Sequence, residues 1–122
     1  MADRISDAEH AVMEVLWRRA PLTATEVSEA LEEDRDWSLQ TVKTLLARLV
    51  GKKVVAHEAD GRRYLYRPLV VRDAYVAHES QRLVDRLFGG RVTPLVAHLA
   101  ETQQLSDQDI AEIEALLKAL KP

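Results

Sequence analysis

The sequence contains no cysteine among its 122 residues. Disulfide scaffolds, thiol nucleophiles and cysteine metal sites are therefore excluded. A run of about 18 apolar residues is also missing, so the sequence predicts no transmembrane helix. The first residues lack the basic and then apolar pattern of a signal peptide. These absences lead us to expect a soluble cytoplasmic protein.

Motifs that carry catalysis are missing as well. There is no Gly-x-Ser-x-Gly, no Gly-x-Gly-x-x-Gly and no phosphate-binding loop. The histidines are His10, His57, His78 and His98, and no two of them are four residues apart. A zinc site on one helix is therefore not encoded locally. We predict no enzymatic activity, no bound metal and no cofactor.

Positive charge is concentrated in one segment, although the chain as a whole has a net charge of −3. Residues 40–67 hold seven Lys and Arg against two Asp and Glu, whereas residues 1–39 hold four against ten. A chain that is basic throughout would suggest non-specific binding to nucleic acid. One basic segment on an acidic protein instead predicts a defined docking face.

Three helices with capped starts are predicted at the beginning of the chain. Ser6 and Thr23 are each followed three residues later by a glutamate, which is the pattern of a capping box. Ser38 caps the third helix. The large side chains of Trp17 and Trp37 are expected to seal the small core between these helices.

The third helix, over residues 38–50, has two contrasting faces. Its apolar residues recur at the spacing of a buried stripe, namely Val42, Leu45, Leu46 and Leu49. The opposite face has no acidic residue and carries slim or hydrogen-bonding side chains with two cations, namely Gln40, Thr41, Lys43, Thr44, Ala47 and Arg48. This mixture is typical of a helix that enters the major groove of DNA. Periodicity alone leaves an ordinary solvated face as the alternative.

The pattern after the third helix changes to that of a β-hairpin. Residues 54–59 and 63–67 are short strand-like runs around Asp60-Gly61, a dipeptide favoured in turns. Pro68 ends the hairpin because it cannot donate a hydrogen bond to a neighbouring strand. Three helices followed by a two-stranded hairpin is the element order of a winged helix, in which the hairpin is the wing.

The predicted wing is basic next to its turn, where Arg62 and Arg63 lie. A basic wing beside a basic helix face suits phosphate contacts on both sides of a groove. Tyr64 and Tyr66 share one face of the second strand and are expected to pack against the helices. A hydrogen bond from one of their hydroxyls to a phosphate is the alternative. We therefore predict a DNA-binding surface formed by Ser38, Gln40, Thr41, Lys43, Thr44, Arg48, Arg62 and Arg63.

Three short amphipathic helices are predicted in the remainder of the chain. Gly89-Gly90 ends the first, Thr93-Pro94 is expected to supply the cap and first residue of the second, and Ser106 caps the third. Such helices have little core of their own, so a second copy of the chain is the simplest partner. The residues predicted to form this homodimer are Val76, Leu83, Leu87, Leu95, Leu99, Ile110, Ile113 and Leu117.

The fold predicted from these patterns is mostly α with a small β-hairpin. It consists of a winged helix-turn-helix domain that binds DNA, over residues 1–70, and a C-terminal helical dimerisation domain, over residues 71–122.

Seven segments, in order along nearly the whole chain, resemble one known family. They are residues 5–9 (ISDAE), 12–17 (VMEVLW), 23–27 (TATEV), 37–49 (WSLQTVKTLLARL), 63–69 (RYLYRPL), 88–90 (FGG) and 105–113 (LSDQDIAEI). The family is that of the BlaI/MecI-type penicillinase repressors. The resemblance implies a winged-helix domain with a helical dimerisation domain, a dimer on a short palindromic operator, and repression of β-lactamase or related resistance genes.

The resemblance also implies control by proteolysis. In family members a membrane sensor-protease responds to a β-lactam, and the repressor is cut in its dimerisation domain at an Asn-Phe pair that follows Gly-Gly. The matching position here is His98-Leu99, so the chain departs from the family at its candidate cleavage site. Copper-responsive members of the superfamily carry a C-terminal cysteine cluster, and the lack of cysteine disfavours that branch.

Two other functions remain open from the sequence. A winged-helix repressor controlled by a small molecule would need a pocket between the domains, and no convergent polar cluster marks one. A winged helix used only to bind another protein is disfavoured by the basic face of the third helix.

Overall fold

The computed structural model describes residues 4–121, so the outer limits of the predicted domains, residues 1 and 122, lie outside the described range. The elements in chain order are α1 (Asp7–Arg18), α2 (Ala24–Leu31), α3 (Leu39–Gly51), β1 (Val55–Asp60), β2 (Arg63–Pro68), α4 (Arg72–Phe88), α5 (Val92–Glu101) and α6 (Asp107–Leu120). This order confirms the predicted fold class. The described residues form two compact units that meet in the chain between Tyr75 and Val76.

Local capping explains where most of the helices begin. The side chain of Ser6 accepts a hydrogen bond from the backbone N–H of Glu9, whose carboxylate accepts one from the Ser6 N–H. The same reciprocal pair forms at Thr23 for α2, and Ser106 caps α6 in the same way. The predicted caps of these three helices are therefore confirmed.

The core of the first unit lies between α1, α2, α3 and the hairpin. The predicted stripe of α3 is confirmed, since its four apolar residues are all buried. Trp17 and Trp37 are partly buried and pack against this core, as expected. The other buried apolar side chains of the cluster are Ile5, Val12, Met13, Val15, Leu16, Leu22, Val27, Leu31, Val54 and Val55.

The wing is an antiparallel pair in which Asp60 faces Arg63, so Gly61 and Arg62 form the turn. The prediction that Asp60-Gly61 forms the centre of the turn is wrong by one residue. Gly61 has a φ of +66°, whereas Arg62 has no positive φ. A positive φ at the first central residue only is the type II′ geometry, for which glycine at that position is favoured. The shift leaves Arg62 at the tip of the wing.

The wing is attached to the helices through a short third strand-like segment. Tyr66 donates a backbone hydrogen bond of 2.7 Å to the Leu22 carbonyl oxygen and accepts one of 3.1 Å from the Leu22 N–H. Because Leu22 lies between α1 and α2, this exchange fixes the base of the wing to the helical core.

The second unit contains three amphipathic helices with little internal core. Val84 is its one buried apolar residue within the described range. The predicted start of α5 is wrong, because the helix begins at Val92 and its cap residue, Arg91, makes no side-chain cap. Pro94 is then the third helical residue, where its missing N–H still removes no intrahelical hydrogen bond.

None of the helices within residues 4–121 is both long enough and apolar enough to cross a membrane.

Candidate nucleic-acid interface

Helix α3 presents one continuous polar face on the surface of the first unit. Because the apolar stripe faces the core, all other positions in the first three turns of α3 are exposed. The exposed residues include every predicted contact of this helix and its cap, namely Ser38, Gln40, Thr41, Lys43, Thr44 and Arg48. The structure therefore brings these six residues together on one side of α3.

The beginning of α3 carries no negative charge. Helices α1, α2, α4 and α6 each have an acidic residue in their first turn, whereas α3 has none. At its third helical position stands Thr41, whose hydroxyl lies 3.1 Å from that of Ser38. The helix dipole gives an N-terminus partial positive charge, which a carboxylate there would neutralise. The start of α3 therefore favours an anion such as a phosphate.

The polar side chains of this face differ in how much of their hydrogen-bonding capacity is already used. The Ser38 hydroxyl accepts the N–H of Thr41 at 3.1 Å. The Thr44 hydroxyl donates to the Gln40 carbonyl oxygen at 3.0 Å, one turn back in the same helix. The side chains of Gln40 and Lys43 make no such bond within the described chain, so they retain their full capacity for an external partner.

Three cations of the predicted surface are unpaired. Lys43, Arg48 and Arg62 take part in none of the ion pairs formed among residues 4–121. Arg63, in contrast, lies 3.0 Å from the Asp60 carboxylate. The structure thus places Arg63 on the wing, as predicted, but with an acidic neighbour that offsets its charge.

Lys52 also belongs to the basic segment but does not contribute to the exposed positive surface. Its ammonium group lies 2.7 Å from the Glu9 carboxylate and donates to the Arg4 carbonyl oxygen at 2.8 Å. The sequence counted Lys52 as free positive charge and missed this partner. No local signal could have found it, because the two residues are 43 positions apart.

The wing carries an aromatic cluster on one face of its sheet. The His57 ring lies 4.6 Å from that of Tyr64 and 5.8 Å from that of Tyr66, measured between ring centroids. Tyr66 packs against the core, and burial raises the pKa of its hydroxyl. Tyr64 is 49% exposed, so the expectation that both tyrosines pack against the helices is correct for Tyr66 only.

None of the apolar residues predicted to form a homodimer is fully buried in the single chain. Five of them are exposed and three are partly buried; the exposed ones are Val76, Leu83, Leu87, Ile110 and Leu117, and the partly buried ones are Leu95, Leu99 and Ile113. At the candidate cleavage position, His98 is exposed and Leu99 is partly buried. Both lie within helix α5, one turn before its end.

The part of the chain that the structure describes contains no group of three His, Asp or Glu side chains arranged to hold a metal ion.

Comparison with known proteins places the chain in one family. The model of the penicillinase repressor family matches residues 5–119. The penicillinase repressor of Bacillus licheniformis is 32% identical over 118 residues, which cover 97% of this chain and 92% of that protein. The methicillin resistance regulatory protein MecI of Mammaliicoccus sciuri is 29% identical, with 93% of this chain and 92% of that protein covered.

A solved structure of a relative matches the first part of the fold. The solution structure of monomeric Bacillus licheniformis BlaI in complex with the blaP half-operator gives a TM-score of 0.53 at 35% sequence identity. The match covers 62% of this chain and 92% of the BlaI chain. With the family model spanning almost the full length, this chain belongs to the penicillinase repressor family.

Proposed function

We propose that this protein is a dimeric transcriptional repressor that binds a palindromic operator, with β-lactamase or related resistance genes as its targets. The observation that carries the proposal is the exposed face of α3, which combines unpaired cations with free hydrogen-bonding groups and has no acidic residue in its first turn. The half-operator complex of the related BlaI domain supports the same function.

The α3 face divides into base-reading and phosphate-binding positions. Gln40 can donate and accept at an adenine edge, and Lys43 can donate to a guanine. The methyl groups of Thr41 and Thr44 suit contact with a thymine methyl group. Arg48 on the helix and Arg62 at the wing tip bind the phosphate backbone, which sets the register of the helix but carries no sequence information.

Dimerisation raises the affinity of this small winged-helix domain for the operator. In this proposal, a second copy of the chain covers the solvent-accessible apolar positions of α4, α5 and α6. Two-fold homodimers are the commonest soluble oligomers, which makes a second copy the simplest partner. Two linked winged-helix domains bind the two halves of the operator. The effective concentration of the second domain raises the affinity by about 10²–10⁴-fold over that of one domain. Such a mode of action needs no catalytic residue, and a repressor of this kind acts in the cytoplasm, where bacterial DNA lies.

Because operator affinity depends on the second unit, a cut there releases the operator. We include derepression by a membrane sensor-protease in the proposal on the basis of the family. The His98-Leu99 position lies inside a helix, and proteases bind extended chain. Cleavage at this position therefore requires the end of α5 to unwind first.

The test is a selection from random double-stranded oligonucleotides with the full-length protein, followed by binding titrations at fixed salt. We expect enrichment of a palindrome, and binding to the whole palindrome at least about tenfold tighter than to one half. Selection without any enriched sequence would instead favour a winged helix that binds only proteins. Enrichment of a single half-site with no gain from its repeat would contradict the dimeric mode.

A further inference from the structure

The two faces of the wing sheet differ in chemistry. Side chains alternate in direction along a strand, so every second residue of each strand shares a face. The register places together Val55, His57, Ala59, Tyr64, Tyr66 and Pro68. Val55 is 1% exposed, and Tyr66 packs against the helical core. We call this the inner face of the wing, because its base is turned towards the helices.

The charged residues of the two strands all lie on the opposite face. They are Glu58, Asp60, Arg63 and Arg67, which alternate with the residues of the inner face. The inner face itself carries no Lys, Arg, Asp or Glu. A phosphate that approaches the inner face therefore meets no repelling carboxylate, and the donors available to it there are the tyrosine hydroxyls and the His57 ring.

Tyr64 is the exposed tyrosine of the inner face. It is 49% exposed, and its hydroxyl forms no hydrogen bond within residues 4–121. It is paired with Ala59, one step from the Asp60–Arg63 pair that closes the hairpin, so it lies close to the wing tip. Tyrosine hydroxyls are among the groups that bind DNA phosphates. Tyr64 therefore has a free donor at the end of the wing that reaches furthest from the helical core.

Ring contacts on two sides restrict the orientation of Tyr64. Its ring centroid lies 4.6 Å from that of His57, with the planes tilted by 33°. The Tyr66 ring meets it edge to face at 6.5 Å. A tyrosine has only two side-chain torsions, so a ring that is already held by its neighbours loses little conformational freedom on binding. The inner face thus presents the Tyr64 hydroxyl in a nearly fixed position.

We propose that the Tyr64 hydroxyl donates a hydrogen bond to a phosphate of the bound DNA, and that His57 is the positioning residue that orients the Tyr64 ring. This inference rests on the proposed function as a DNA-binding repressor. It adds an uncharged contact to the charged ones of Arg48 and Arg62. A phosphate contact carries no sequence information, so Tyr64 contributes equally to the binding of every duplex.

An uncharged phosphate contact has its own dependence on salt. A Lys or Arg that neutralises a phosphate releases counter-ions, so each such contact adds about 0.9 to the slope of log K against log salt. A hydroxyl neutralises no charge and releases none. Its loss therefore weakens binding by the same factor at every salt concentration, which distinguishes Tyr64 from Arg62.

The experiment titrates full-length variants against a selected operator half-site and an unrelated duplex at several salt concentrations. Tyr64→Phe removes the hydroxyl and keeps the ring with its contacts. Tyr66→Phe is the matched control, because it makes the same change two residues away on the same face, in a ring that packs against the core. Urea unfolding of each variant checks that the fold is retained.

The positioning role of His57 is tested by two substitutions and a double-mutant cycle. His57→Ala removes the ring contact, whereas His57→Phe keeps an aromatic ring beside Tyr64. The double variant His57→Ala/Tyr64→Phe completes the cycle, which measures whether His57 acts through the Tyr64 hydroxyl.

We expect Tyr64→Phe to bind both duplexes about tenfold more weakly than the wild type, with an unchanged salt slope, and Tyr66→Phe to bind as the wild type does. His57→Ala is expected to weaken binding by about threefold and His57→Phe to retain the affinity. In the Tyr64→Phe background, His57→Ala is expected to cause no further loss.

Several results would overturn the inference. Wild-type affinity in Tyr64→Phe, a loss confined to the selected half-site, or a salt slope lowered by about 0.9 would each refute the phosphate contact. An equal loss in Tyr66→Phe would assign the effect to the ring cluster and not to the Tyr64 hydroxyl. A further loss from His57→Ala in the Tyr64→Phe background would refute the positioning role alone.

Failure of the proposed function gives a different result. A wild type that binds neither duplex would refute the proposed function, and the Tyr64 contact with it. A wild type that binds both duplexes equally would refute operator recognition only, because the effect of Tyr64→Phe can still be measured on both.

Discussion

The Glu9 carboxylate and the Lys52 ammonium group form an ion pair of 2.7 Å at the edge of the winged-helix core. Glu9 lies in the first turn of α1, and Lys52 is the C-cap residue that follows the end of α3. The Glu9 side chain is 2% exposed, and its Oε2 atom has no hydrogen-bond partner in the described chain. The pair therefore connects the start of the first helix to the end of the helix that carries the polar face.

Removing one partner of this pair is expected to destabilise the protein strongly. The Lys52→Met variant leaves the buried Glu9 carboxylate without its counter-ion, a loss of about 3–5 kcal/mol in the free energy of unfolding. The double variant Glu9→Gln/Lys52→Met replaces the charges with neutral groups of similar shape, and we expect it to recover a large part of that loss.

Urea unfolding at fixed protomer concentration measures both variants, because the stability of a dimer depends on concentration. Lys53→Met is the control, since the neighbouring lysine forms no ion pair in the described structure. Equal stability of the two single variants would show that the pair contributes nothing beyond its individual side chains.

Stability is also expected to depend on pH through Glu9. Burial raises the pKa of its carboxyl group, but the hydrogen bonds from Lys52 and from Ser6 outweigh that effect, and the pKa lies below its usual value of 4.5. A lowered carboxyl pKa stabilises the folded state above the unfolded pKa, and this contribution is lost as the pH falls through the folded pKa. The free energy of unfolding is therefore expected to decrease below about pH 4.5.

The dependence on Glu9 can be separated from that of other carboxylates. The hydrogen bond from Arg72 lowers the pKa of Glu14, so this residue adds to the same acid sensitivity. Urea unfolding between pH 3 and pH 7 is expected to give a flatter profile for Glu9→Gln than for the wild type. Parallel profiles for the wild type and Glu9→Gln would mean that the Glu9 carboxyl group has the same pKa in the folded and unfolded chains.

The structure shows which features a sequence can predict. The helix starts at Ser6, Thr23 and Ser38 were predictable because a cap involves residues only three positions apart. The polar face of α3 was predictable because helical periodicity alone separates it from the buried stripe. Both features are local, so they require no knowledge of the rest of the fold.

Features that depend on distant residues or on details of the backbone were missed. The pairing of Lys52 with Glu9 reduced the basic surface below the sequence count, and nothing near either residue signals it. The turn of the wing was displaced by one residue, since Asp60-Gly61 and Gly61-Arg62 are both acceptable turn pairs until the register of the strands selects one. The sequence therefore located the candidate interface but overestimated its charge.

The two wing arginines are expected to differ in their contribution to DNA binding. Arg62 is unpaired at the tip, whereas Arg63 lies 3.0 Å from Asp60. Arg62→Gln should lower the slope of log K against log salt by about 0.9, the value for one phosphate contact. Arg63→Gln should lower it by less, because its charge is already partly offset.

Titrations of a selected operator at several salt concentrations distinguish the two cases. Lys43→Gln on α3 provides a positive comparison, since this residue is unpaired and exposed. Equal slopes for the two arginine variants would show that Arg63 leaves Asp60 when DNA binds, and the difference inferred from the free protein would not apply.

The apolar face of α6 is expected to hold two protomers together. Leu117 is 58% exposed in the single chain and lies on the same stripe as Ile113 and Leu120. Leu117→Glu places a charge where a second copy is expected to pack, so the dimer should dissociate at micromolar concentration. Ala115→Glu adds the same charge on the opposite side of the helix and should leave the dimer intact.

Sedimentation measures the assembly, and operator titration measures its consequence. The monomeric variant should keep the half-site affinity of the wild type. Its affinity for the full operator should fall by about 10²–10⁴-fold, because the two winged-helix domains are no longer linked. If Leu117→Glu remains a dimer as stable as Ala115→Glu, the apolar face of α6 lies outside the interface. If it becomes monomeric but binds the full operator with unchanged affinity, operator binding does not depend on dimerisation.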